Sequence, residues 1–254
     1  MINMTKQNQP YVVITGASAG IGAASAKKFA GLGYNLVLVA RRLDRLKALK
    51  HEIQTVHADV AVVTVQQDLA MISDLPKMYQ RINDKYQIKV WVNNAGFGKI
   101  KALDEYDLTE VTQMVQTNSE AVAVLTTLFT KDHETEDVQL VNVSSRAGYH
   151  VWPNTVMYSA TKFFVGALTE GLDSELQRRG LAMRAKVLAP NATETEFQRV
   201  AKNLDHDVDY SEVFDKYNTS DGLADFLVAL LDSDAAVGFV NDEYELELSG
   251  SRLP

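Results

Sequence analysis

The sequence predicts an α/β fold, a doubly wound parallel β-sheet of about seven strands with helices on both faces. Three observations predict it. Short and almost wholly apolar runs alternate with helical patterns along most of the 254 residues, the mark of strands buried on both faces of a parallel sheet. The first apolar run ends in a glycine-rich turn, Gly16-Ala17-Ser18-Ala19-Gly20-Ile21-Gly22, which opens a helix. Later runs end in polar clusters, Asp68, Asn93-Asn94 and Ser144-Ser145, at the carboxyl ends of strands, where open α/β sheets place their chemistry.

Taken in order, residues 1–10 read as a disordered lead-in and residues 11–254 as one domain. Strands are expected at 11–15, 35–40, 60–66, 88–92, 138–143 and 183–189, with a last one at 244–248. Between them, helical patterns run from the glycine turn to about Leu32, from Leu43 to Gln54, from Ile72 to Asp84 and, as a long helical region, from about Asp104 to Phe129. A further helix carries Tyr158 and Lys162 and runs to Arg178, and another covers 221–231. Residues 191–217 lack clean periodicity and are rich in polar residues.

Composition narrows the function classes. Apolar residues make up 46% and charged residues 23%, as in an ordinary globular protein. The net charge of −8 without a basic tract argues against nucleic acid and anionic membrane as partners. The chain has no cysteine, so thiol chemistry and thiolate metal sites are excluded, and the five histidines show no ligand spacing. The first residues lack the apolar run of a signal peptide and no later stretch suits a membrane span, so a cytoplasmic protein is expected.

The richest chemistry lies at 140–162. Ser145 ends a strand, and thirteen residues later Tyr158 begins a Tyr-x-x-x-Lys pattern with Lys162. Residues four apart share a helix face, so a phenol and an ammonium can point into one cleft. A nearby cation favours a phenolate and would bring Tyr158 towards a useful range for proton transfer. In the glycine turn, Gly16 permits the tight bend, Gly20 close approach to a pyrophosphate and Gly22 helix–strand packing, while the helix amino terminus offers free N–H groups. At the end of the second strand a ribose-binding acid is absent. Arg41 and Arg42 stand there instead, and guanidinium groups suit a 2′-phosphate and hence NADP(H). Asp68 suits an adenine amino group, or it caps the helix beginning near Ile72.

With Thr15 to Gly22, Asn93 to Gly96 and Ser145, Tyr158 and Lys162 in this order, the sequence resembles the short-chain dehydrogenase/reductase family over nearly its whole length. The resemblance implies a Rossmann-type domain and an NADP(H)-preferring oxidoreductase. It implies that Tyr158 exchanges the proton, Ser145 holds the substrate oxygen, and Lys162 holds the nicotinamide ribose while lowering the Tyr158 pKa. Asn118 would bind a water that links Lys162 to solvent, or it merely kinks its helix. The cofactor set is then Gly16, Ser18, Gly20, Ile21, Gly22, Arg41, Arg42, Asp68, Leu69, Asn94, Tyr158, Lys162, Thr193 and Thr195, with no metal. One departure is Asn191 where the family usually has glycine after Pro190; asparagine tolerates positive φ, so a turn of the same shape is expected.

The expected activity is interconversion of a small ketone or aldehyde and its alcohol, in a homodimer or homotetramer. Two other readings are a 3-oxoacyl thioester reductase and a non-catalytic NADP(H)-binding sensor. The resemblance also implies that Phe97, Trp152, Met157 and residues 192–217 shape the substrate pocket, with 191–217 as a lobe over the substrate, while His150 is expected to lie on the surface or line the cleft.

Overall fold

A computed structural model describes residues 9–253. The greater part of the expected lead-in therefore lies outside the described residues. Its last two residues are tied to the fold: the Asn35 side chain donates to the Gln9 carbonyl at 3.0 Å and the Asn35 N–H to that of Pro10 at 3.1 Å.

The chain runs β1 (Tyr11–Thr15), α1 (Gly20–Gly31), β2 (Asn35–Ala40), α2 (Leu43–Val56), β3 (Val62–Gln66), α3 (Leu75–Asn83) and β4 (Ile88–Asn93). There follow α4 (Leu108–Val115), α5 (Ala121–His133), β5 (Gln139–Val143), α6 (Val156–Arg178) and β6 (Arg184–Ala189). The last part comprises β7 (Thr193–Glu194), α7 (Phe197–Ala201), α8 (Tyr210–Val213), β8 (Asn218–Thr219), α9 (Ser220–Leu231), β9 (Val237–Val240) and β10 (Leu246–Ser249). Eight strands form the main sheet in the order β10-β9-β6-β5-β4-β1-β2-β3, and β7 pairs with β8 in a small separate ribbon.

Every neighbouring pair in the main sheet is parallel except β9 and β10. This corrects the expected sheet in two respects. An eighth strand exists, because Val237–Val240 is short, carries a glycine and follows a polar turn, and so lacks a periodic signal. The last strand begins at Leu246, since Tyr244 adopts a left-handed conformation (φ 67°) in the tight turn that reverses the chain.

Alternate strand residues face opposite layers. Val12, Ile14, Leu36 and Leu38 pack with Phe29 of α1, Leu46 of α2 and Leu227 of α9. Val13, Val37 and Trp91 pack on the other side with Tyr79 of α3, Phe129 of α5 and Leu176 of α6. Both faces are covered, which explains why the strands read as continuous apolar runs.

The helical region expected over 104–129 begins at Leu108 and runs unbroken into α5. Asp107 caps α4 by accepting from the Glu110 N–H at 2.9 Å, and a wide π-helical turn spans Gln116–Glu120 before α5. Such a turn inserts an extra residue, and here it aims Asn118 inward. No helix among the described residues is long and apolar enough to cross a membrane.

Candidate active site

The strand order reverses on either side of β1, which lies between β2 and β4. Loops leaving the carboxyl ends of β1 and β4 therefore diverge and open a crevice, the position where such sheets bind ligands. Thr15 joins its two walls. Its hydroxyl accepts from the N–H groups of Asn94 (3.0 Å) and Ala95 (3.2 Å), and Asn94 Nδ2 donates to the Thr15 carbonyl at 2.9 Å. Thr15 had no site role in the sequence, although it opens the glycine motif.

The glycine turn has the shape its residues require. Gly16 and Gly20 have φ of 68° and 54°, open to glycine at no steric cost. A Cβ on Gly22 would stand 2.6 Å from the Gly16 carbonyl oxygen, so only hydrogen fits there. Helix α1 begins without a capping side chain at Ala19, leaving its first N–H groups available to an anion. Ile21 packs on the core, and Leu69 is buried. Ser18 accepts from Arg42 Nε and Nη2 at 3.3 and 3.1 Å. Arg41 is exposed, with Nη1 3.9 Å from Asp68. Asp68 does not cap the turn at Ile72: its carboxylate accepts from the Ala70 N–H at 3.1 Å instead.

On the facing wall, β5 ends at Ser144 and Ser145. The Ser145 hydroxyl accepts from the Ala147 N–H at 3.1 Å and stands beside the Tyr158 phenol. Lys162 lies one helical turn beyond Tyr158, its Nζ donating to the Val143 carbonyl at 2.9 Å and standing 5.8 Å from the Tyr158 ring centre. Ser144 fastens this helix to the strand by donating to the Lys162 carbonyl at 2.8 Å. Phe197 packs on the Tyr158 ring with centroids 5.3 Å apart, and Gly98 lies against both rings.

The electrostatics differ from expectation. Burial pushes the Tyr158 phenol up to about 12, partly countered by the Ser145 hydroxyl beside it, rather than down. The cation meant to depress it is itself buried, and that burial lowers Lys162 to about 8. A displacement of this size weighs a few kcal/mol against the charged ammonium in the folded chain.

This has a testable consequence for stability. Below pH 8 the lysine is protonated in both folded and unfolded chains, and the cost of burying its charge is fully present. Between about pH 8 and 10.5 the unfolded chain binds more protons than the folded one, so stability rises with pH through that window. Unfolding free energies from urea titration at pH 7 and 9.5 are expected to rise in the wild type relative to Lys162→Met. A pH-independent difference would contradict this account.

Asn118 is buried and points inward from the widened turn. Its amide donates to the Phe97 carbonyl at 2.7 Å and to Thr161 at 3.1 Å, and accepts from the Phe97 N–H at 3.1 Å. The side chain thus clamps the loop after β4, and the widened turn at 116–120 is what brings it there. Asn191 does not adopt positive φ; its side chain shapes the turn by donating to the Asn241 carbonyl at 3.0 Å and accepting from Ala192 at 2.8 Å. Thr193 is buried, and Thr195 lies against the glycine turn, where a Cβ on Gly20 would be 2.9 Å from its methyl carbon. His150 is exposed and packs edge-on against Trp152.

Two further groups carried no usable signal. Gly148 lies where a Cβ would collide with the Ser144 hydroxyl and come within 2.6 Å of the Lys162 carbonyl oxygen. Glu196 reaches across the crevice to Arg42 at 2.9 Å and Arg45 at 2.8 Å. Neither belongs to a motif, and the Arg42 and Arg45 partners of Glu196 are far away in sequence.

Comparison with known proteins agrees with this geometry. Residues 10–205 match the family model described as short chain dehydrogenase. The chain is 35% identical over 199 residues to sulfoacetaldehyde reductase 2 of Chromohalobacter salexigens, covering 74% of this chain and 75% of that protein. It superposes with a TM-score of 0.78 on a short-chain dehydrogenase from Sphingobium yanoikuyae in complex with NADPH, at 31% identity over 90% of this chain and 86% of the other. The bulky-bulky ketone specific alcohol dehydrogenase from Comamonas testosteroni gives a TM-score of 0.75 at 27% identity, covering 91% and 85%. With its glycine turn, switch-point crevice and Ser145, Tyr158 and Lys162 on one wall, the chain belongs to the short-chain dehydrogenase family of oxidoreductases.

Proposed function

We propose that this protein is an NADP(H)-dependent oxidoreductase that interconverts a ketone or aldehyde and its alcohol, with Tyr158 as general acid and base. The observation that carries the reading is the Tyr158 phenol beside the Ser145 hydroxyl, with Lys162 buried one helical turn away, at the switch-point crevice. The cofactor fits the residues present: an uncapped helix terminus behind glycines that leave no room for a Cβ suits the pyrophosphate. Ser18, Arg41 and Arg42 suit the 2′-phosphate, and the NADPH-bound relative from Sphingobium supports the same choice.

When bound, the nicotinamide supplies or takes up the hydride. The rest falls to the chain. With its pKa raised to about 12, Tyr158 holds its proton at neutral pH and can give it to the substrate oxygen as negative charge develops there. Ser145 donates to the same oxygen, a contact that strengthens as the charge grows. The phenolate left behind faces the Lys162 ammonium, which favours the charged form. Residues 191–217 cover the substrate, with Phe197 closing on the tyrosine ring. Named relatives reduce sulfoacetaldehyde or accept bulky ketones, so both classes belong in a substrate panel. A homodimer or homotetramer in the cytoplasm completes the reading.

The test is a titration with NADPH and NADH followed by nicotinamide fluorescence, then a panel of ketones and aldehydes. Tighter binding of NADPH and its oxidation on some carbonyl are expected. Arg42→Ala should weaken NADPH binding by about ten- to a hundredfold while leaving NADH within about threefold, the loss of charge-assisted bonds to one phosphate. Tighter binding of NADH by the wild type would overturn the cofactor choice.

A further inference from the structure

Glu196 is the hub of an ionic cluster that no catalytic role explains. One carboxylate oxygen lies 2.9 Å from Arg42 Nη1, and the other lies 2.8 Å from Arg45 Nη1 and 2.6 Å from Arg199 Nη2. The remaining nitrogens of Arg42 hold Ser18 in the glycine turn. Burial raises the Glu196 carboxyl, but the bonds from Arg45 and Arg42 outweigh it and hold it below the usual carboxylate range. Isolated ion pairs at a surface contribute little. Here three guanidinium groups converge on one carboxylate that is itself three-quarters buried, so the arrangement is a network rather than a chance pair.

Its position gives the cluster a consequence. Arg42 and Arg45 stand at the start of α2, on the wall that carries the glycine turn and the end of β2. Glu196 belongs to the opposite wall, between Thr195 on Gly20 and Phe197 on Tyr158. The bridge therefore spans the mouth of the crevice. A carboxylate and a phosphate both engage guanidinium groups through paired oxygens, so one excludes the other.

We propose that Glu196 is an internal counter-anion for the 2′-phosphate pocket, and that Arg45 is a further phosphate ligand in that pocket, held in place by Glu196 until a phosphate takes its position. The inference rests on the NADP(H) reading. Glu196 must release Arg42 and Arg45 before a 2′-phosphate can be seated, and that release frees the segment bearing Thr195 and Phe197 from the opposite wall. A cofactor without the phosphate leaves the bridge closed. Glu196 thus sets how strongly the pocket discriminates between the two.

The test uses the adenosine halves of the two cofactors, so that it does not depend on turnover. Binding of 2′,5′-ADP and of ADP to the full chain is measured by calorimetry for the wild type, Glu196→Gln, Glu196→Ala and Arg45→Ala, with thermal unfolding to verify that each variant is folded. The wild type is expected to prefer 2′,5′-ADP. Both Glu196 variants should bind it about five- to twentyfold more tightly, with ADP unchanged within about twofold, because the competing anion is gone. Arg45→Ala should bind 2′,5′-ADP at least about fivefold more weakly and ADP equally. Unchanged or weaker 2′,5′-ADP binding in both Glu196 variants, with the wild-type preference intact, would overturn this inference and leave the cofactor reading standing. A wild type indifferent to the 2′-phosphate would overturn the cofactor reading and this inference with it.

Discussion

Tyr158→Phe is expected to lower kcat by about 10²- to 10⁴-fold, the range that a positioned proton donor contributes. The substitution is confined to one oxygen. The ring keeps its packing on Phe197 and Gly98, and α6 keeps its attachment to β5 through Ser144 and Lys162. Binding of 2′,5′-ADP and NADPH should therefore change little, and thermal stability should remain near that of the wild type. What disappears is the proton that Tyr158 holds at neutral pH and the polar contact of its oxygen with Ser145. Steady-state kinetics on the best carbonyl of the panel measure the effect. A Tyr158→Phe enzyme with full turnover would show that the proton comes from elsewhere and would sink the proposed mechanism.

Gly148→Ala is expected to damage both stability and turnover, although Gly148 touches neither cofactor nor substrate in the proposed reaction. Its φ is not positive, so the constraint is one of space. The added methyl would press on the Ser144 hydroxyl and on the Lys162 backbone, its nearest carbonyl oxygen at 2.6 Å and carbonyl carbon at 2.9 Å. Backbone cannot rotate aside as a side chain can, so α6 must move away from the end of β5. Overpacking of this kind costs about 1–3 kcal/mol, which corresponds to a fall of several degrees in Tm. The same movement separates Ser145 from Tyr158, and misplacement by about 1 Å can cost about 10²-fold in rate. Differential scanning fluorimetry and kcat/KM measure the two effects, and 2′,5′-ADP binding verifies that the other wall is intact. Wild-type kcat/KM in this variant would mean that α6 can slide without disturbing the site.

Much of this architecture is legible along the chain because it depends on local rules. Strands buried on both faces must be apolar throughout, so β1, β2 and β4 are plain from their residues. Other elements are hidden where a tertiary partner overrides the local pattern. The apolar periodicity across 104–129 continues through the π-helical turn, whose Asn118 bonds to Phe97 and Thr161 lie outside that local pattern. Asn191 similarly reads as a substitute for glycine in a left-handed turn, whereas its side chain shapes the turn by bonding to Asn241, fifty residues away. Strand β9 has four residues and a glycine, and pairing with β6 and β10 defines it.

The sequence by itself determined the fold class, the glycine turn and the spacing of Ser145, Tyr158 and Lys162, since periodicity, turn chemistry and helical repeat act over a few residues. Tertiary structure alone decided the electrostatic state of the site and the traffic across the crevice. Burial raises Tyr158 and lowers Lys162 because desolvation depends on everything packed around a group, which no spacing encodes. Glu196 meets Arg42 and Arg45 because the sheet order brings remote carboxyl-terminal loops together, and Gly148 meets Lys162 because α6 folds back onto the end of β5; charge and steric contact act through space rather than along the chain.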